Sequence, residues 1–116
     1  METHNCKIGS TMLGIEDHGI MTFFVHLSGE GWGQGLGGFA IDKYGGTHEA
    51  DRPGFGPAVT AIRKILETVG VETWEDLPGT LVRAKIEGLG SSRTPIIGHY
   101  MKDQWFDLKE FTEANT

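Results

Sequence analysis

Met21-Thr22-Phe23-Phe24-Val25-His26-Leu27-Ser28, continuing through Gly29-Glu30-Gly31-Trp32-Gly33-Gln34-Gly35-Leu36-Gly37-Gly38 into Phe39-Ala40-Ile41, is the stretch on which the fold turns. Its first part alternates. Met21, Phe23, Val25 and Leu27 fall on one face of an extended segment, with Ile20, Thr22, Phe24 and His26 on the other. Both faces carry apolar groups, which predicts a strand that is central or covered on both sides. The second part puts glycine at almost every other position. One face of it is therefore stripped of side chains and admits only backbone, a neighbouring aromatic ring or a ligand.

Outward from there, Ile8 to Ile15 reads as a preceding strand weakened by Gly9 and Gly14, with Glu16-Asp17-His18-Gly19 as turn chemistry. With the strand ending near Ile41, the three form an antiparallel meander. Asp42 to Gly56 has no apolar period and reads as an exposed loop. Pro57 suits a first helical turn, and Ala58, Val59, Ile62, Ile65, Leu66 and Val69 make a helical stripe that Gly70 closes. Thr73-Trp74-Glu75-Asp76 reads as a short turn capped by Thr73.

Val82, Ala84 and Ile86 then alternate with Leu81, Arg83, Lys85 and Glu87, giving a strand with one solvated face. After a turn at Gly88 to Ser92, Thr94 to Met101 reads as a last strand that starts after Pro95 or lies at an edge. Trp105, Phe106, Leu108 and Phe111 form a terminal apolar clasp. The sum is a single α+β domain over 1–116: about five strands, largely antiparallel, with one main helix packed on a face and serving as the crossover between strands three and four.

The chain has 116 residues, 18 of them glycine, which suits one modest core. Its net charge of −6, from 16 acidic against 10 basic residues spread along the chain, argues against direct nucleic-acid binding, which needs a positive stripe. Cys6 is the one cysteine, so no internal disulfide forms. No signal-like start and no membrane-length apolar run are present, which predicts a cytoplasmic protein.

The glycine run lacks the Gly-Lys-Ser/Thr ending of a phosphate loop and is followed by no βαβ unit, so neither nucleotide fingerprint applies. Asp17 beside His18 is a carboxylate–imidazole neighbour pair, but adjacent residues of an extended chain point opposite ways. His18, His26 and His99 are weak candidate metal ligands, converging only if the second and fifth strands are neighbours. Cys6 reads as a small buried or incidental thiol rather than a nucleophile. No cofactor is called for. Trp32, Gln34, Phe24 and Asp17 are the candidate protein-binding residues, because an aromatic in a glycine setting offers contact area at low ordering cost. Phe24 is also the candidate homodimer contact.

Ser10 to Ile20 (STMLGIEDHGI), Gly33 to Gly38 (GQGLGG), Val69 to Gly79 (VGVETWEDLPG) and Ile97 to Phe106 (IGHYMKDQWF) together resemble a family of small proteins encoded by bacteriophages and prophages. The resemblance brings no residue-level activity with it. It implies a non-enzymatic protein of the bacterial host cytoplasm that binds a host or phage protein, with inhibition of a defence complex such as an RNA-guided nuclease as one form. Two other readings stand beside it. One is a metal-dependent hydrolase or nucleotide-binding protein using the His/Asp set, and the other is a virion structural or assembly protein.

Overall fold

The computed structural model describes residues 2–15, 21–40, 56–88 and 94–114. Six strands form one sheet: β1 (Glu2–Ile15), β2 (Met21–Gly29), β3 (Trp32–Ala40), β4 (Leu81–Ile86), β5 (Ile96–His99) and β6 (Trp105–Phe106). Two helices accompany them, α1 (Gly56–Val69) and α2 (Leu108–Ala114). The strand order is β3-β2-β1-β4-β5-β6, with every neighbouring pair antiparallel. The α+β class and the β1-β2-β3 meander are as expected. The sixth strand is the pair Trp105–Phe106, read from sequence as part of a clasp. Two residues carry no period, and they pair only because Ile97 and Gly98 lie opposite them.

Strand β1 starts at Glu2, earlier than its apolar pattern, because Glu2 to Lys7 pair with Ile86 to Leu81 of a strand far along the chain. Its register against β2 shifts between Ile8 and Thr11, where Gly9 and Ser10 make an irregularity. Ile8, Phe23, Val25, Leu27, Leu36, Val82, Ala84, Ile86 and Ile97 are fully buried on the face that α1 covers. The alternation read in β2 therefore holds, with Phe23, Val25 and Leu27 inward.

Helix α1 buries Ala58, Ala61, Ile65 and Val69, with Ile62 and Leu66 partly buried. Val59, expected in the stripe, is 68% exposed. Ala61 takes that place because positions 58, 61, 65 and 69 share one face at helical spacing. Gly70 ends the helix at φ 86°, and the N–H groups of Gly70 and Val71 both donate to the Leu66 carbonyl (2.9 and 3.0 Å). A 3-10 turn at Trp74–Asp76 follows, but the Thr73 side chain makes no capping hydrogen bond. The cap is a correction: Trp74 fixes this turn by packing on the core, edge-on to Phe23 at 5.9 Å. No described helix is long and apolar enough to cross a membrane.

Candidate functional site

The sheet has two faces, and among the described residues only one is covered by helix. The register fixes what the other face presents. Successive cross-strand rows hold Phe24 with Met12, then His26 with Gly35, then Gly33, Ser28, Lys7 and Leu81. The rows continue with Asn5, Arg83, Gly98 and Trp105, and then Thr3, Lys85 and Ile96. No carboxylate stands in these rows.

The glycines are where rings lie down. A Cβ at Gly35 would overlap the Phe24 ring, and one at Gly33 would fall 3.2 Å from the His26 imidazole. The partners of the bare glycine face are thus rings of the adjoining strand β2, an arrangement in which an aromatic covers the gap a glycine leaves in a sheet. Across the sheet, the Trp105 ring lies over Gly98 in the same way. Above that ring sit Arg83 and Lys85, 4.7 and 4.2 Å from its centroid.

An aromatic face holds a cation through its quadrupole without neutralising it. Arg83 is further fixed by donating to the carbonyls of His99 (2.9 Å) and Lys102 (2.8 Å), and the Trp105 indole N–H donates to Asp103 (2.8 Å). Residues two apart on a strand are about 7 Å apart, where two exposed like charges repel by about 0.6 kcal/mol in water. No described carboxylate in the rows offsets that repulsion. The helical layer differs: Arg63 pairs with Glu67 at 2.6 Å and Lys109 with Glu113 at 4.0 Å.

At the row of Ser28, Lys7 and Leu81 lies a shallow depression of about 240 Å³ whose lining includes Asn5, Cys6, Lys7, Glu30, Leu81 and Tyr100. Leu81, 50% exposed, supplies its apolar floor.

The expected protein-binding set does not form one surface. Trp32 and Gln34 share the helix side of β3, because they pair with Gly29 and with the buried Leu27. The Trp32 indole folds back over Gly29, where a Cβ would overlap it, and meets His4 edge-on at 5.5 Å. Phe24 lies on the opposite face. Asp17 and His18 are outside the described residues.

The metal set does not assemble either. Strands β2 and β5 are separated by β1 and β4, which removes the condition for convergence. His26 is on the open face, whereas His99 is on the helix side opposite Val82. The His99 Nδ1 accepts the backbone N–H groups of Met101 (3.0 Å) and Lys102 (2.9 Å), so it serves as a turn cap with its proton on Nε2. Among the described residues no three His, Cys, Asp or Glu side chains gather as a metal site.

Cys6 is buried, and burial pushes its thiol up to about 11 from an ordinary 9.0. At neutral pH it remains protonated, so alkylation in the folded protein should run far more slowly than in denaturant, as mass spectrometry would read. The pH dependence has a definite sign. Above about pH 9 the unfolded chain loses the proton first, so stability falls as pH rises from about 9 to 11. A Cys6→Ala variant should flatten that part of the curve; an unchanged slope would mean another group controls it.

Arg83, Lys85, Lys7 and Trp105 were missed as a set by sequence reasoning. The alternation at Leu81 to Glu87 showed a solvated face, but not that Lys7 and Trp105 share it. Comparison with known proteins finds no match to a family model, to a curated protein or to a solved structure, so the resemblance to phage-encoded proteins rests on the sequence segments alone.

Proposed function

We propose that this chain is a non-enzymatic binding protein whose partner docks on the face of the sheet that no described helix covers. The observation that carries this is a set of three cations, Lys7, Arg83 and Lys85, in successive rows around the exposed Leu81, none paired with a described carboxylate and the last two braced by Trp105. Interfaces draw their binding energy from such arginine, tryptophan and apolar anchors. The described residues bring no nucleophile, base and orienting group together. The resemblance to phage-encoded proteins supports a host or phage protein as the partner and the bacterial cytoplasm as the setting. A bacterial defence complex is the narrower target it suggests.

A second copy of this chain is a poor occupant of this face. A two-fold axis passing near these cations would bring like charges together, and like-charge juxtaposition disfavours it.

The test is affinity capture from an infected or lysogenic bacterium, comparing wild type with Arg83→Glu and Trp32→Ala. Recovery of a specific partner by wild type and Trp32→Ala, but not by Arg83→Glu, is expected. Loss on Trp32→Ala alone, in a variant that remains folded, would move the contact to the helix side. Recovery of nothing specific by wild type would overturn the proposal.

A further inference from the structure

We infer that the segment docking on the open face is an acidic polypeptide stretch that inserts one aliphatic side chain between its carboxylates. This deepens the binding reading above and rests on it. Three observations identify the chemistry.

The cations come first. Lys7, Arg83 and Lys85 occupy three successive rows on the adjacent strands β1 and β4, and none forms an ion pair with a described carboxylate, although Glu30 shares the depression with Lys7 and Glu87 follows Lys85 by two residues. On a chain of net charge −6 this is a local positive field, and it complements a negative segment. Lys85 and Arg83 are held by the Trp105 ring rather than by an acid, so the site is ordered while its charge stays unspent.

The second observation is Leu81. It pairs with Lys7 and lines the depression of about 240 Å³ together with Lys7 and Glu30, placing an exposed apolar side chain beside one cation and two residues before Arg83. An aliphatic side chain fills such a depression and removes both surfaces from water. A polynucleotide offers carbon only as base faces and sugar.

Thirdly, the ring that a base would need is taken. Single-stranded nucleic acid binds such platforms by stacking on exposed aromatics. Here one face of Trp105 lies on Gly98, and the cation heads of Lys85 and Arg83 lie over its ring. Phe24 is four strand positions from Trp105, on β2. The arrangement fits carboxylates better than bases.

The experiment is an NMR titration of the isotopically labelled protein with three probes. These are a short Glu/Asp peptide with one central leucine, the same peptide with serine in its place, and a single-stranded DNA oligonucleotide of equal charge. The leucine peptide should shift the amides of Lys7, Leu81, Arg83 and Lys85 and the Trp105 indole N–H, binding about tenfold tighter than the serine peptide. Leu81→Ala should abolish that preference. Lys85→Glu should weaken both peptides, whereas Lys64→Glu, the same charge change on the exposed side of α1, should leave both unchanged.

Tighter binding of the oligonucleotide at the same residues would overturn the inference in favour of nucleic acid. So would equal weakening by Lys64→Glu, or shifts confined to the helix side. If no peptide binds while capture from cells still depends on Arg83, this inference fails and the binding function stands.

Discussion

Phe23→Ala is expected to destabilise the fold by about 3–5 kcal/mol, the range for emptying a buried phenylalanine site. Phe23 has no exposed surface, lies near the start of β2 and meets Trp74 edge-on at 5.9 Å, tying the 3-10 turn to the sheet. A domain of this size holds about 5–15 kcal/mol in total, so the variant would forfeit a large share of it. Urea unfolding followed by circular dichroism reads the loss, and near-ultraviolet circular dichroism should show Trp74 losing its fixed environment. Phe23→Leu, which keeps most of the volume, should cost less than about 1.5 kcal/mol. Equal losses in the two variants would mean that aromatic geometry, not volume, sets the stability of this core.

Gly37→Ala should destabilise by about 2 kcal/mol or more, against the usual direction of such a change. At most compatible sites, replacing glycine with alanine stabilises by about 0.4–1 kcal/mol, by reducing the freedom of the unfolded chain. Gly37 differs in two ways. Its φ of 106° is one that side-chain-bearing residues rarely adopt, and a Cβ there would fall 2.5 Å from the Phe23 carbonyl oxygen. The obstacle is backbone, so no rotamer change relieves it. The position coincides with the register irregularity between Thr22 and Phe24, where β3 bends along its partner. Gly14→Ala is the matched comparison: among the described residues its Cβ would meet nothing closer than the Met12 sulfur at 3.9 Å. Stabilisation at Gly14 and loss at Gly37 are expected from the same unfolding measurement. Similar effects at both would show that β3 shifts locally to relieve the contact.

Local pattern determined a great deal. The alternation in β2 placed Phe23, Val25 and Leu27 on one face, because strand geometry admits only two directions for side chains. The period of α1 and the glycine at its end determined the helix, since a repeat of 3.6 residues followed by a left-handed position has one ready solution. The alternation of glycine in β3 determined that something must lie close to it. Each of these follows from steric rules acting within a few residues.

What lay close was decided elsewhere. The rings of Phe24 and His26 cover the glycine face because β2 and β3 pair in one particular register. Trp32 turns to the helix side because it pairs with Gly29, so its exposure could not be read from its glycine neighbours. The charged face is the clearest case. Lys7 and Arg83 are 76 positions apart in the chain (83 − 7) yet sit in adjacent rows, since β1 pairs with β4 only after α1 has carried the chain across the sheet. Separation along a sequence says nothing about the field that side chains create together. Pairing between distant strands sets that field, and with it the surface that another molecule would meet.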